Sequence, residues 1–316
     1  MALVHKNRYQ VTIQGKGIRD EGGGKEEFDI VAPEQYCIFS DIEAEKLITR
    51  DIMQRLSGGV WRPKVTQKVA KFKIEKPVKI HKDAEGWDTV DILLLSWAGF
   101  RGNIIGEVCE LGWTDALGVN GGIGQMQVSN PEGETIYIDG ILAKVSISGE
   151  VGKLLKMEVE GLGKIQDSLT WSSHSMYNTL GCLAVPGSVK VEGSIVDGVK
   201  TWRIDIGGDV KVCEGVEQTD GVYLIYRPEI EITFEMDPVD SDVVRSWRER
   251  EDPVTIDVQR KPLSGVAETE EKTFVKLMDM YVLDFGDELD NNIMRRKVKF
   301  ACGKPTEKIF IYPTWS

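Results

Sequence analysis

The amino-acid sequence predicts a mainly β protein that carries two short helices. Apolar and polar residues alternate with a period of two in segments spread along the whole chain, which is typical of half-buried strands. Glycine is frequent, at 33 residues against 11 prolines, as expected for many tight turns between strands. A length of 316 residues suits two domains of about 150 residues better than a single domain.

Ten segments alternate clearly enough to be predicted as strands. They are residues 9–13, 61–74, 125–128, 136–147, 155–160, 201–206, 227–236, 255–258, 274–285 and 294–300. A run of glycines at 22–24 is typical of a hairpin tip near the N-terminus.

Two segments are predicted as helices, at residues 87–98 and 239–250. The first has an apolar face that includes Trp97 and stops at Gly99. The second lies between Pro238 and Pro253 and carries Trp247 on its apolar stripe. We expect both tryptophans to be packed against a sheet.

The contexts of the two helices are alike. Trp61-Arg62-Pro63 opens the strand before the first helix, and Tyr226-Arg227-Pro228 opens the strand before the second. This shared order predicts a duplicated domain, with a first domain at 1–175 that includes an N-terminal extension at 1–40, and a second at 176–316. The polar, charge-free stretch 168–186 is expected to be the surface linker between them.

Composition excludes several classes of protein. The formal net charge of −12 argues against a surface that neutralises nucleic-acid phosphates, which needs clustered cations. The five cysteines contain no C-x-x-C pair, which indicates free thiols in a reducing compartment. The most apolar run, 92–100, is shorter than the roughly 20 residues that cross a bilayer, so no transmembrane segment is expected.

Residues suited to catalysis or metal binding are sparse. The three histidines, His5, His81 and His174, are far apart in sequence and have no partner at metal-ligand spacing. Cys109 and Cys213 lie in or beside strand patterns, where a free cysteine usually acts as a small buried hydrophobe. The glycine-rich run 118–124 lacks the Lys-Ser/Thr of a phosphate-binding loop. We expect no catalytic residue, no metal and no cofactor, and therefore no enzyme.

Two predicted strands, 155–160 and 228–236, alternate apolar residues with mainly acidic ones. Their carboxylates would lie on one solvated face: Glu158, Glu160, Glu229, Glu231 and Glu235. Together with the net charge, these residues indicate a negative surface. An alternative is that an i, i+2 carboxylate pair serves as the acid and base of a glycoside hydrolase.

Several stretches resemble the major tail tube proteins of long-tailed bacteriophages. The longest is 138–161, where a strand, a Gly-x-x-Gly turn at Gly149 and Gly152, and a second strand ending in glycine follow one another. Others are 45–51 with the long strand to residue 74, the helix with Trp97-Ala98-Gly99, Arg227-Pro228 before the helix with Trp247, and the final strands around 286–290. The resemblance covers most of residues 40–312.

The resemblance implies two tandem tail-tube-type β-sandwich domains, each with one packed helix, whose inner sheets join into a β-barrel tube on assembly. Two fused domains imply trimeric rings that imitate hexamers and stack into a virion tube. The implied partners are further copies of this chain and other tail proteins at the tube ends. DNA would pass through without specific binding. The protein would be made in the host bacterial cytoplasm, with no membrane partner, and the five acids would be candidates for the lumen wall.

A carbohydrate-binding or adhesive β-sandwich module is the rival interpretation. Such a module presents exposed aromatic rings as stacking platforms, and the candidates are Trp113, Trp171 and Trp202. Their sequence neighbours give no aromatic cluster.

Overall fold

The computed structural model describes most of the chain. The described residues are 10–20, 25–32, 39, 41–55, 61–81, 89–98, 100–103, 110–113, 124–129, 132–171, 181–207, 210–213, 223–225, 230–238, 242–247, 249–263, 272–290, 293–302 and 309–310. The predicted mainly β class is confirmed, and the described residues contain two short helices.

The described residues of the N-terminal half form ten strands and one helix. In chain order they are β1 Gln10–Asp20, β2 Lys25–Ala32, β3 Asp41–Arg55, β4 Trp61–Pro77, β5 Lys79–His81, α1 Thr89–Trp97, β6 Phe100–Asn103, β7 Glu110–Trp113, β8 Gly124–Ser129, β9 Thr135–Glu150 and β10 Lys156–Gln166.

In the C-terminal half, the residues that the structure describes form ten further strands and the second helix. They are β11 Gly181–Val191, β12 Ser194–Ile195, β13 Val199–Ile206, β14 Lys211–Cys213, β15 Tyr223–Ile225, β16 Ile230–Met236, α2 Asp242–Trp247, β17 Val254–Pro262, β18 Lys272–Asp290, β19 Ile293–Cys302 and β20 Ile309–Phe310.

Eight strands from both halves form one uninterrupted antiparallel run of neighbours. Its order is β3-β4-β10-β9-β13-β16-β19-β18. Alternate residues of these strands point into a single apolar core, as the pattern buried-intermediate-buried along β16 illustrates. The central contact, β9 with β13, joins the two halves. We call this run the main sheet.

Further strands continue the sheet from the beginnings of β9 and β18, whereas β14 and β15 form a separate two-stranded sheet. The beginning of β9 pairs with β8, and β8 pairs with β1. In the same way the beginning of β18 pairs with β17, and β17 pairs with β11. Strand β1 also pairs with β2, from Ile13 opposite Ala32 to Asp20 opposite Lys25, so the strands that flank the predicted hairpin tip are neighbours.

Both helices pack a tryptophan onto the main sheet, as predicted. The Trp97 ring meets Phe72 of β4 edge to face at 5.7 Å, and its Nε1 donates a hydrogen bond to the Gln14 carbonyl oxygen at 2.9 Å. The Trp247 ring meets Phe300 of β19 at 5.5 Å. Both tryptophans are fully buried. Edge-to-face pairs add about 0.5–1.5 kcal/mol to the burial of their apolar area.

A buried ion pair fixes α1 to the sheet. Lys76 of β4 donates a hydrogen bond to Asp91, and both side chains are almost fully removed from solvent. The second oxygen of Asp91 accepts from the Lys79 backbone N–H at 3.3 Å. Loss of either partner would leave a charge in the core without its counter-ion, which costs several kcal/mol.

The structure corrects three sequence-based expectations. The predicted linker 168–186 is not wholly a surface connection, because 181–186 lie in β11 and pair with β5 and β17. Both helices end earlier than predicted, since the described residues 98 and 249–250 are not helical, whereas the predicted beginnings at 87–88 and 239–241 lie outside the described residues. Strand β3 was not predicted, because charged residues such as Glu43 and Glu45 dominate it and obscure the apolar positions that face the core.

Candidate functional surface

The face of the main sheet turned away from the core is rich in charged residues, and we call it the charged face. It arises because successive strand residues point to opposite sides of a sheet. Its described charged residues are Asp41, Glu43, Glu45, Lys71, Lys73, Glu75, Lys144, Glu150, Lys156, Glu158, Glu160, Lys164, Arg203, Asp205, Glu231, Glu235, Asp284, Glu288, Arg295, Lys297 and Lys299.

Four of the five predicted acidic residues lie on this one face. Glu158 and Glu160 are on β10, which is the neighbour of β9. Glu231 and Glu235 are on β16, which is the neighbour of β13 on the other side of the β9–β13 contact. Both strands turn these acidic residues away from the core, onto the charged face. Glu229 lies outside the described residues.

Glu75 is the centre of an ion-pair network across β4 and β10. The Lys156 ammonium lies 2.8 Å from a Glu75 oxygen and 2.9 Å from Glu158. Lys73 lies 3.3 Å from Glu75 and 3.7 Å from Glu160. Two lysines and three carboxylates thus alternate over two neighbouring strands.

This network changes the proton affinity of three groups. Hydrogen bonding to Lys156 is the largest effect on Glu75 and lowers its pKa, against partial burial, which raises it. The hydrogen bond to Glu75 raises the pKa of both Lys156 and Lys73, against desolvation, which lowers it. All three groups are therefore held in their charged forms at neutral pH.

A second set of ion pairs continues across the junction between the halves. Arg203 of β13 lies 3.0 Å from Asp205 and 3.5 Å from Glu158 of the first half. Glu231 pairs with Lys299 at 2.7 Å, and Glu235 lies 3.7 Å from Arg295. Each of the four described acidic candidates therefore has a cationic neighbour. The charged face carries charges of both signs and is not uniformly acidic.

A shallow cleft of about 400 Å³ opens on the charged face beside the junction. Residues of β9, β13, β16 and β19 line it together with the turn between β9 and β10. Its cations are partly neutralised within the chain, since Lys153 binds Glu150 at 2.8 Å and Lys156 binds Glu75 and Glu158. The cleft lining therefore combines charges that are paired within the chain with apolar surface from Leu154 and Trp202.

The junction between β9 and β13 is closely packed on the core side. A Cβ atom at Gly149 would lie 2.5 Å from the Trp202 ring, so only glycine leaves room for that ring. Trp202 is 3% exposed. The Trp202 ring is therefore packed within the β9–β13 junction and does not face solvent, where a sugar could stack on it. Trp171 is partly exposed, and the side chain of Trp113 lies outside the described residues.

The two ends of the main sheet were not recognised from sequence. At one end, β3 pairs with β4 on one edge, and its other edge has no partner strand among the described residues. At the other end, residues 281–290 of β18 pair with β19 only, within the same described part of the chain. Unpaired edges of this length are assembly sites or aggregation hazards.

The described residues contain no group of three or more His, Cys, Asp or Glu side chains that could hold a metal ion. None of their helices is long and apolar enough to cross a membrane. Cys302 is not in a disulfide bond, and its Sγ donates to the Met278 carbonyl oxygen at 3.9 Å. In comparisons with known proteins, no protein-family model matches this chain, and no similar curated protein was found.

Proposed function

We propose that this chain is a structural virion protein that polymerises into the tube of a phage tail. Three copies would form a ring of six similar units, and stacked rings would enclose a channel through which DNA passes during ejection. The protein would act through assembly and not through catalysis. The main sheet carries the proposal, because it runs through both halves and, within the described part of the chain, ends in two edges that have no partner strand.

A repeated pairing order supports two tandem units of the same kind. The first half contributes β3-β4-β10-β9 to the main sheet, and the second contributes β13-β16-β19-β18. Core-facing residues form matching rows across the two sets. One row is Ile42, Ile74, Val159 and Val145, and the other is Trp202, Phe234, Val298 and Phe285.

A repeated backbone irregularity supports the same equivalence. Gly140 in β9 has a φ of 61°, and Asp279 in β18 has a φ of 54°. Each lies where the strand ends its pairing with β8 or β17 and the register shifts. Bulges of this kind bend a strand, which lets it pass from one set of partners to another. The same bend in both halves favours a duplicated unit.

The charged face is the proposed wall of the channel. Its acids are paired with lysines and arginines of the same chain, so few cations remain to hold phosphates. A protein that neutralises phosphates binds DNA with a steep salt dependence, which would oppose passage. A hydrated wall of internally paired charges avoids that binding.

Electron microscopy of the concentrated, purified full chain tests the proposal. We expect rings or tubes in negative stain, and class averages with threefold symmetry that look approximately sixfold. The duplicated unit is the reason, because three chains then present six similar domains. A monomer at every concentration, or a ring built of six chains, would contradict the proposal.

A further inference from the structure

We infer that strand β3 of one copy pairs antiparallel with residues 285–290 of β18 in a second copy. The partner is this same chain, and the pairing repeats the β9–β13 junction found inside it. This inference rests on the proposed function and specifies which edges meet and in which register.

The internal junction gives the register. In the equivalent rows, Trp202 of β13 corresponds to Ile42 of β3, and Val145 of β9 corresponds to Phe285 of β18. Inside the chain, Trp202 lies opposite Gly149 and Arg203 lies opposite Ser148. Between copies, the same relation places Ile42 opposite Leu289 and Glu43 opposite Glu288.

The apolar pair at this contact is complementary in size. Inside the chain a large ring, Trp202, faces a glycine, whereas between copies two aliphatic side chains of moderate size would face each other. Leu289 is 70% exposed and its cross-strand neighbour Met294 is 51% exposed, although both lie on the side of the sheet that faces the core. The docked β3 would cover part of this exposed apolar area.

The charged row at the contact is flanked by cations. Glu43 pairs in register with Lys73 on its own sheet, and Glu288 pairs with Arg295 on its own. The inferred contact therefore orders the row as Lys73, Glu43, Glu288 and Arg295. Like charges directly opposite each other destabilise a sheet, so the contact should strengthen when one sign is reversed.

The stagger of the sheet is compatible with closure into a barrel. The paired row that begins at Ile42 passes through Ile74, Val159 and Val145 to Ile206, which is four residues beyond Trp202, the equivalent of Ile42. Four strands per unit with a stagger of four residues give a strand tilt of about 35°, within the range of closed barrels. Three chains would then enclose a barrel with a backbone radius of ~22 Å.

Disulfide trapping in the full chain tests the contact. Glu43→Cys and Glu288→Cys are prepared as two separate variants, because both side chains face solvent and leave the core intact. After mild oxidation we expect a disulfide-linked dimer when the two variants are mixed, and little for either alone, since the contact is head-to-tail. Mass spectrometry should identify the peptide that joins positions 43 and 288.

The controls separate register from general proximity. In the first control, Glu249→Cys is mixed with Glu43→Cys in place of Glu288→Cys. Position 249 is exposed and lies outside the contact, so no linked dimer should form. Glu45→Cys lies two residues along the same face and should link to position 288 more slowly. Rings that form without the 43–288 link would overturn this register and leave the proposed function standing. The absence of both rings and links would overturn both.

A second set of three variants tests the contact without introducing cysteines. Leu289→Asp should abolish ring formation while circular dichroism stays unchanged, because the side chain is exposed in the single chain. Ile195→Asp, at an apolar position of β12 that is 57% exposed, is the matched control and should still form rings. Glu288→Lys should promote assembly at low salt. Rings of normal stability with Leu289→Asp would overturn the inference.

Discussion

Glu75 shows how one carboxylate on the charged face couples two strands. It accepts hydrogen bonds from Lys156 and Lys73, and its pKa is lowered mainly by the bond to Lys156. Its pKa in the unfolded chain is about 4.5. Because the folded value is lower, the carboxylate adds stability above the unfolded pKa and loses that contribution as the pH falls through the folded pKa.

We therefore expect Glu75→Gln to lower the stability of the protein at pH 7 and to lower it progressively less as the pH falls below about 4.5. Urea denaturation of the parent and the variant across this pH range measures the difference. Glu249→Gln, an exposed position after α2, controls for the loss of one charge. A difference between Glu75→Gln and the parent that stays constant down to strongly acid pH would contradict the prediction.

At the scale of elements, the bulges in β9 and β18 allow the energetic cost of a positive φ to be measured. Both Gly140 and Asp279 have positive φ, which costs an ordinary L-residue about 1–2 kcal/mol but costs glycine little. We expect Gly140→Ala to destabilise the protein by about that amount. We expect Asp279→Gly to leave stability within about 1 kcal/mol of the parent, since the relief of strain offsets the added chain entropy.

Denaturation curves of the purified variants measure both effects. Gly286→Ala is the control, because a Cβ atom there meets nothing within 4 Å and its φ is not positive. That substitution should be nearly neutral. Unchanged stability of Gly140→Ala would mean that the bend of β9 tolerates a side chain and that the two bulges are not equivalent.

The elements that sequence predicted are those with a clear apolar period. Strand β16 alternates strictly and was identified, and both helices were located by a tryptophan on an apolar stripe. Strand β3 was missed, because one of its faces is charged and its core-facing positions include the small Ala44. Strand β2 was missed for a similar reason, since it begins Lys-Glu-Glu.

The site was predictable only in part. Alternation along one strand placed Glu158 and Glu160 on a solvated face, which is a local property of a strand. Their cationic neighbours come from other strands, since Arg203 reaches Glu158 across the junction and Lys73 reaches Glu160 from β4. Cross-strand register determines such pairs, and no local pattern encodes it. The edges of β3 and β18 that have no partner strand among the described residues could not be predicted for the same reason.

At the scale of the whole molecule, the two halves differ in what their last strand meets. In the first half the edge of β9 beyond the bulge is covered by β13, whereas the equivalent edge of β18 has no partner strand among the described residues. One chain therefore contains one complete junction, β9 with β13, and the two strand edges, on β3 and β18, that would form a second junction. The proposed head-to-tail contact with a further copy would complete the second junction, and repetition of that contact would close a ring if the rotation permits.

The charge balance of the proposed channel wall gives the prediction at this scale. Glu160 is exposed and Glu235 is partly exposed on the charged face, and they lie beside Lys73 and Arg295 respectively. Changing both to lysine would replace two anions by two cations on this face, and every chain of a ring would repeat the change. We expect Glu160→Lys with Glu235→Lys to leave assembly intact and to make the tubes retain DNA at low salt and release it at high salt.

Cosedimentation of tubes with double-stranded DNA over a range of salt concentrations measures this retention. Its logarithm should fall linearly with the logarithm of salt concentration, with a slope of roughly 0.9 for each phosphate contact. The control is Glu249→Lys with Glu251→Lys, which changes the net charge equally at exposed positions between α2 and β17, outside the charged face. If the charged face lines the channel and meets DNA, only the first variant binds inside the tube, and nuclease should then digest its DNA poorly. Equal binding by both variants, or full nuclease sensitivity of the bound DNA, would place the charged face on the outside of the tube.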